Sequence, residues 1–266
     1  KGKYGTGLVF LPKDNNKAEL CLNVIRENLE KEGLTLLAIR DVPVNSDILG
    51  AISASNEPQT KQIFVTGSTS QEELERKLYM VRKKIENSIS KSNISKERSF
   101  YIVSLSTKQM IYKGMLTSLQ LREYFPDLSD KNFTSGIALV HSRFSTNTFP
   151  TWDLAQPFRM MGHNGEINTI RGNRQWMESR ESVLKSDQLG NLNDLYPIVQ
   201  PGMSDSASLD NVLEFLVMSG KSLPHAMAML VPESWNQKNP ISDNLRAFYE
   251  YHSTFMEPWD GPACLL

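Results

Sequence analysis

The chain has 266 residues, of which 39% are hydrophobic and 22% are charged, a composition that is ordinary for a globular protein and sufficient to bury a sizeable core. The formal net charge of -1, from 29 Lys and Arg against 30 Asp and Glu, excludes an overall field that would attract nucleic acid or anionic lipid. No apolar run approaches the roughly 20 residues of a membrane span, and the first residues lack the pattern of a signal peptide.

Cysteine usage is sparse. Cys21 and Cys264 are the two cysteines of the sequence, so a disulfide framework is excluded, and neither residue belongs to a Cys-x-x-Cys pair. This usage is typical of a reducing compartment. We therefore expect the cytoplasm, or the plastid stroma if the source is a plant or an alga.

The first part of the chain alternates short apolar runs with helical patterns. A strand is predicted at 6–12, followed by a helix at about 17–31 that has polar N-cap candidates before it and Gly33 just past its end. Two more strands are predicted at 34–44 and 61–67.

The clearest helix is predicted at 68–90. A capping box formed by Ser70 and Glu73 precedes a run of apolar residues that are spaced by three and four. These apolar residues are Leu74, Leu78, Val81, Ile85 and Ile89. The spacing predicts that they share one buried face.

The middle of the chain predicts strands and the second half predicts irregular structure. A hairpin of two strands is predicted at 99–116, and one further strand at 136–144. After Pro150 the chain becomes rich in Asn, Gly, Pro and Trp, and no internal repeat or long linker is present. Three helices are predicted there, near 174–185, 208–219 and 223–230. The pattern as a whole predicts a single α+β domain over residues 1–266.

The first polar motif is "HSRFSTNTFP" at 141–150, directly after a predicted strand. Arg143 stands where a loop can hold a side chain at a fixed point on a rigid edge. A guanidinium there is suited to binding a carboxylate through two parallel hydrogen bonds, and the hydroxyls of Ser145, Thr146 and Thr148 can add donors. The alternative is a strand-end arginine that pairs with a structural acid.

The second motif is "GHNGEINTIRGN" at 162–173. By itself the pair Asn164 and Gly165 predicts a turn. In a site, however, an Asn side-chain amide beside a glycine N–H provides two donors that converge on one oxygen, which is how an oxyanion hole is built. His163 and Glu166 fit either catalytic helpers or residues that orient a loop.

The third motif, "GMSDSASLDN" at 202–211, has the pattern of a helix N-terminus, with Asp205 or Ser206 as the cap. The functional alternative gives Asp205 an ammonium group to bind. A carboxylate grip, an oxyanion hole and an ammonium acceptor would together hold an amino acid.

These motifs carry a family resemblance. The runs "HSRFSTNTFPTWDLAQPFRMMGHNGEINTIRGNRQW", "SDSASLDNVLE", "LVPESWNQ" and "AFYEYHSTFMEPWDGPA" resemble the glutaminase domain of glutamate synthase large subunits, a class II glutamine amidotransferase domain. The resemblance is dense over 137–263 and weaker before it, at "GLVFLPKD", "RDVPVN", "QIFV" and "YIVSLS". The fold it implies is the four-layer N-terminal-nucleophile hydrolase sandwich, two antiparallel sheets flanked by helices, incomplete in these residues.

The resemblance also implies roles for single residues. Arg143 matches the arginine that binds the α-carboxylate of glutamine, with Thr146 beside it as a further substrate-binding residue. The side chain of Asn164 and the backbone N–H of Gly165 match the oxyanion hole. Asp205 matches the aspartate that receives the α-amino group, and Asp210 in the same stretch is the alternative for that role.

One feature departs from the family pattern. The family nucleophile is a cysteine at the mature N-terminus whose α-amine assists proton transfer, whereas residue 1 here is Lys1. Cys21 lies on the apolar face of a predicted helix, which indicates an inert buried thiol, and Cys264 has no α-amine. We expect that the nucleophile-bearing N-terminal segment and the end of the domain lie outside these residues. The 266 residues alone should then be inactive, with exposed sheet edges that favour aggregation.

For the intact protein, the resemblance implies hydrolysis of glutamine to glutamate and ammonia, with ammonia channelled to 2-oxoglutarate. It implies FMN and an iron–sulfur cluster, both outside these residues, where neither a cofactor nor a metal is expected. The partners it implies are the rest of the large subunit and either an NAD(P)H-oxidising small subunit or ferredoxin. No nucleic-acid or membrane partner is expected.

Two other functions fit parts of the pattern. One is a non-catalytic module that binds glutamine or a partner and lacks a nucleophile, which the natural sequence before Lys1 would distinguish. The other is a metal-dependent hydrolase that uses His141, His163, Glu166 and Asp205, although no spacing such as His-Glu-x-x-His supports it.

Overall fold

The computed structural model describes residues 3–92, 94, 99–146 and 148–266, so Lys1 lies outside the described residues. The chain forms two compact units. The first comprises Lys1–Phe144, Phe149–Gly162 and Asn193–Leu195, and the second Ser145–Thr148, His163–Leu192 and Tyr196–Leu266. Both units combine helices with antiparallel strands, which confirms the predicted α+β class.

The first unit is built on an antiparallel sheet. Its strands are β1 (Gly5–Leu11), β2 (Thr35–Asp41), β3 (Gln59–Thr66) and β4 (Tyr101–Ile102), in the spatial order β2-β3-β1-β4. The register runs from Gly5 opposite Val65 to Leu11 opposite Gln59. The three strands predicted at 6–12, 34–44 and 61–67 are therefore confirmed.

Helices cover this sheet. The described part of the first unit contains α1 (Asn15–Lys31), α2 (Ala51–Ser55), α3 (Gln71–Ser90) and α4 (Gln120–Tyr124). The Asp14 side chain caps α1 and the Ser70 side chain caps α3, as their sequences predict. The apolar stripes of α1 and α3 join the apolar residues of the strands in one buried core. Its fully buried members include Ile25, Leu78, Ile85, Val9 and Ile63.

A buried group of charges lies in the first unit beside α3. The guanidinium of Arg82 donates to both carboxylate oxygens of Glu86 at 3.0 Å, and Arg159 donates to the same carboxylate at 2.9 Å. Burial by itself would raise the pKa of Glu86, but the positive charges of Arg82, Arg159 and Lys83 outweigh it and lower that pKa. Arg159 also donates to the carbonyl of Ile102 in β4.

The hairpin predicted at 99–116 is wrong. Its first half forms β4, which pairs with β1 through Tyr101 opposite Phe10 and Ile102 opposite Val9. Within the described residues, the second half forms no strand. The physical reason is that the edge of β1 already provides the backbone partners that the predicted hairpin would have supplied internally.

The strand predicted at 136–144 is also wrong. Those residues have no strand partner in the described part of the chain, and they are largely exposed. Ile137 is 88% exposed and Val140 is 70% exposed. Because a strand is held by hydrogen bonds to a neighbour, an apolar alternating run without that neighbour does not form one.

The second unit is mostly helical. Its described elements are β5 (His163–Gly165), α5 (Ile170–Glu181), α6 (Asp205–Met218), α7 (Leu223–Leu230), α8 (Asp243–Ser253) and β6 (Ala263–Leu265). The three predicted helices are confirmed as α5, α6 and α7, with shifted bounds for the first two. The helix α8 was not predicted, although the Ser242 cap and its amphipathic pattern are local signals for it. No helix in the described ranges is long and apolar enough to cross a membrane.

Candidate active site

The residues matched to an oxyanion hole lie in a strand. Asn164 and Gly165 belong to β5, which pairs antiparallel with β6 so that Asn164 faces Cys264 and Gly165 faces Ala263. The turn that the Asn-Gly pair predicts by itself is therefore wrong. The long-range pairing overrides the local turn preference because it gives both strands hydrogen-bond partners.

The backbone N–H of Gly165 points away from β6. The amide of Glu166 donates to the carbonyl of Pro262 at 2.9 Å, and that of Asn168 donates to Asp260 at 2.7 Å. Antiparallel pairs alternate between hydrogen-bonded and non-bonded positions, so the amides of Gly165 and Ile167 face the opposite side. Both Asn164 and Gly165 are exposed. Two adjacent exposed residues thus carry a side-chain amide and a backbone amide that does not bond to β6.

Gly165 has a backbone that other residues rarely adopt. Its φ is +151°, and a Cβ placed on it would lie 1.9 Å from the carbonyl oxygen of Pro262. Gly261 on the opposite segment is matched to it, with φ +151° and a Cβ position 1.9 Å from the carbonyl oxygen of Glu166. The two segments approach so closely that both positions require glycine.

The segment "EPWDGPA" supports β5, a role that the sequence did not predict. Besides the amide contacts to Pro262 and Asp260, the amide of Asp260 donates to the hydroxyl of Thr169 at 3.0 Å. The side chain of Asn173 donates to the carbonyl of Pro258 at 3.1 Å. The signal was available only as family resemblance, because no local pattern in "EPWDGPA" indicates a partner strand.

Asp205 begins α6 and contacts the loop after β5. The cap of α6 is Ser204, whose side chain accepts from the amide of Ala207, so the predicted cap at Asp205 or Ser206 is wrong by one position. One carboxylate oxygen of Asp205 accepts from the amide of Ile167 at 3.0 Å, and the other accepts from the amide of Ser206 at 2.7 Å. Asp205 is 1% exposed. Its carboxylate accepts from the amide of Ile167, which points to the same side of the strand as the amide of Gly165.

The alternative residue Asp210 lies further along α6 and is fully buried within the helix. The carboxylate of Asp205 contacts the amide of Ile167, in the segment that follows Asn164 and Gly165.

The first motif contributes residues to both units. Arg143 belongs to the first unit and is exposed, and Thr146 belongs to the second unit and is also exposed. Within the described ranges no acid pairs with the Arg143 guanidinium, so the structural ion pair that was its alternative role is not observed. Ser145 is buried and donates to the hydroxyl of Ser206 at 3.0 Å.

Neither cysteine has the setting of a nucleophile. Burial raises the pKa of the Cys21 thiol to about 11, so this side chain stays protonated near neutral pH, and its predicted burial is confirmed. Cys264 is a free, exposed thiol in β6. In the described part of the chain no three His, Cys, Asp or Glu side chains cluster as a metal site would require.

Comparison with known proteins identifies the family. The family model of class II glutamine amidotransferases matches residues 1–266. The chain belongs to the class II glutamine amidotransferases. Its α+β architecture with antiparallel sheets is consistent with the N-terminal-nucleophile hydrolase sandwich of that family.

The similar proteins are glutamate synthases. The chain is 44% identical to the glutamate synthase [NADPH] large chain of Bacillus subtilis and aligns over 100% of its own length. It is 44% identical to the glutamate synthase [NADH] of Saccharomyces cerevisiae over 99% of its length, and 43% identical to the chloroplastic ferredoxin-dependent glutamate synthase 2 of Arabidopsis thaliana over 98%. It spans 17%, 13% and 16% of those relatives. The chain thus corresponds to a small part of each relative's length.

Proposed function

We propose that this domain is the glutaminase of a glutamate synthase, hydrolysing the side-chain amide of glutamine to glutamate and ammonia. The observation that carries the proposal is the exposed pair of donors at Asn164 and Gly165, one a side-chain amide and the other a backbone N–H on the open side of β5. Such a pair is suited to the oxyanion of a tetrahedral intermediate in acyl transfer.

The remaining motif residues are assigned to the rest of the substrate. Arg143 binds the α-carboxylate, since a guanidinium that is exposed and has no acid partner among the described residues is available for a bidentate contact. Thr146 adds a hydroxyl to the same loop. Asp205 receives the α-amino group, because a carboxylate that accepts two backbone amides has further lone pairs to offer.

The proposed chemistry is covalent catalysis in two steps. A thiolate attacks the side-chain carbonyl carbon of glutamine, and Asn164 and Gly165 hold the oxyanion. The C–N bond then breaks, and the leaving nitrogen takes up the proton that the thiol gave up and departs as ammonia. Water then cleaves the γ-glutamyl thioester, which releases glutamate and regenerates the thiol. Because Cys21 is buried with a raised pKa and Cys264 has no α-amine to assist it, the proposal places the nucleophile outside these residues. The 266 residues alone are then inactive.

In the intact protein, ammonia passes to 2-oxoglutarate, and the reduction uses FMN and an iron–sulfur cluster. These residues do not fit the cluster, because it needs several thiolates and the sequence has two cysteines. The partners proposed are the rest of the polypeptide and a small subunit that oxidises NAD(P)H or, alternatively, ferredoxin. The location proposed is the cytoplasm, or the plastid stroma in a plant or an alga.

The test is ammonia release from glutamine by the natural full-length protein. Asn164→Ala removes one oxyanion donor and should lower kcat by about 10²- to 10³-fold. Arg143→Ala removes a substrate contact and should raise KM strongly. Cys264→Ser is the matched control and should retain activity, since the proposal gives that thiol no chemical role.

Two outcomes would contradict the proposal. If the folded full-length protein releases no ammonia but binds glutamine, the domain is a binding module without catalysis. If Cys264→Ser abolishes activity while the protein stays folded, the nucleophile has been assigned wrongly.

A further inference from the structure

The three polar motifs meet at one buried hydroxyl in the second unit. Ser206 is 1% exposed, and its Oγ accepts from the hydroxyl of Ser145 at 3.0 Å. The same oxygen lies 2.8 Å from Nδ1 of His163 and 3.3 Å from a carboxylate oxygen of Asp205. Ser145, His163 and Asp205 come from the first, second and third motif, so a single side chain joins all three.

The hydrogen-bonding capacity of the hydroxyl matches its surroundings. A hydroxyl donates once and accepts twice. Ser206 fills this capacity when it donates to Asp205 and accepts from Ser145 and from a proton on Nδ1 of His163. This arrangement corresponds to the His163 tautomer with its proton on Nδ1; in the other tautomer the hydroxyl donates to Nδ1 instead of to Asp205.

The ring of His163 lies between the Ser206 hydroxyl and the backbone of Gly165. A Cβ placed on Gly165 would lie 2.7 Å from Nε2 of His163, so the ring edge opposite Nδ1 lies against the Gly165 backbone. His163 is 3% exposed, which leaves the ring little room to rotate. The Ser206 hydroxyl holds one edge of the ring while the other edge supports the residue that donates the backbone N–H.

We propose that Ser206 is a positioning residue that acts through His163 to set the direction of the Gly165 amide. The inference rests on the proposed glutaminase function and deepens it, because the motifs left His163 open between a catalytic helper and a loop-orienting residue and gave Ser206 only a possible role as a helix cap. A donor improves the transition state only when it is aimed at the developing oxyanion. A displacement of about 1 Å at such a site can lower the rate about 10²-fold.

The experiment compares Ser206→Ala with Ser208→Ala in the natural full-length protein. Ser208 is the matched control because it is also fully buried in α6, but its hydroxyl bonds Arg174 and the carbonyl of Ser204 rather than β5. Ser206→Ala should lower kcat for ammonia release by about 10- to 100-fold, with KM for glutamine changed less than about twofold. Ser208→Ala should lower Tm without changing kcat.

A double-variant cycle separates positioning from general damage. His163→Phe keeps the bulk of the ring and removes the bond to Ser206, so it should reproduce the loss of kcat. If the two residues act as a unit, Ser206→Ala with His163→Phe should lose no more than either single variant. Because it leaves Ser206 in place, His163→Phe also tests the proposal if Ser206→Ala does not fold.

Two results would contradict the positioning role of Ser206, and a third would contradict the proposed function. An unchanged kcat with a lowered Tm in Ser206→Ala, as in the control, overturns the positioning role. Independent losses in the double variant also overturn it. If the wild-type protein releases no ammonia, the proposed function fails. The positioning role is then judged by hydrogen exchange of peptides that cover 163–167, which must be faster in Ser206→Ala than in Ser208→Ala.

Discussion

Gly165 combines a backbone requirement with a proposed chemical role. Its φ of +151° and the 1.9 Å approach of the Pro262 oxygen to its Cβ position exclude a side chain. The same backbone turns the N–H away from β6 and toward the side where Asp205 is anchored. The sequence indicated a glycine with a special conformation, and the structure specifies a strand rather than a turn.

We predict that Gly165→Ala abolishes catalysis in a folded protein. The added Cβ forces the two segments apart and moves the amide from the oxyanion, so kcat should fall by at least about 10²-fold. Ammonia release and circular dichroism of the full-length protein measure the two quantities. Gly261→Ala should have a similar effect, because its Cβ meets the carbonyl of Glu166.

Gly172→Ala is the control for that prediction. Gly172 lies in α5 with open space at its Cβ position, so the change should leave kcat unaltered and stabilise the helix by about 1 kcal/mol. Full activity in Gly165→Ala would show that the close approach of the two segments is not needed.

At the scale of elements, α3 does more than cover the sheet. Its apolar face forms the core with α1, whereas Arg82 and Glu86 on the same helix form a buried charge group with Arg159. The pKa of Glu86 is lowered because three cations outweigh its desolvation. The group joins α3 to the segment that contains Arg159 within the first unit.

We predict that Glu86→Gln destabilises the protein by about 3–5 kcal/mol at pH 7, because it leaves buried arginine charges without their counterion. A carboxylate with a lowered folded pKa stabilises the fold above its unfolded pKa, about 4.3, and loses that contribution as the pH falls through this value toward the folded one. The variant should therefore show a weaker loss of stability on acidification. Urea unfolding at pH 7 and at pH 4 measures both effects.

The matched control is the exposed pair of Arg246 and Glu250 in α8, which has the same spacing of four. Because both side chains are more than half exposed, Glu250→Gln should change the unfolding free energy by less than about 0.5 kcal/mol. Equal effects of the two substitutions would contradict the role given to burial.

The exposed apolar residues of 136–144 affect how the whole molecule behaves in solution. Ile137 and Val140 are 88% and 70% exposed, and no strand in the described ranges pairs with their backbone. An exposed apolar segment whose backbone N–H and C=O groups have no strand partner is a template for pairing with another chain. Residues 136–144 are therefore the segment through which we expect aggregation.

We predict that the 266 residues, produced alone, self-associate through this segment. Light scattering should show an average mass that rises with concentration, and Ile137→Lys should reduce the rise because a charge opposes edge pairing. Leu119→Lys is the control, since Leu119 is equally exposed at 88% but lies outside the segment. A clean monomer at high concentration would contradict the prediction.

The sequence by itself determined the elements whose signals are local. Helix α3 was predicted with its cap at Ser70, and α1 with polar cap candidates at 14–16, of which Asp14 is the cap, because capping and apolar periodicity act within a few residues. The family was also accessible, since long motif runs carry it. The predicted assignments of Arg143 and Asp205 to substrate binding stay predictions.

Only the tertiary structure decided the features that depend on distant partners. β5 is a strand because β6, far along the chain, pairs with it, and 136–144 is not a strand because no such partner is present among the described residues. The junction at Ser206 was invisible for the same reason, since its contacts come from motifs at three separate places. A hydrogen bond between distant segments leaves no periodic pattern in the sequence of either segment, so such a bond is visible only in the folded structure.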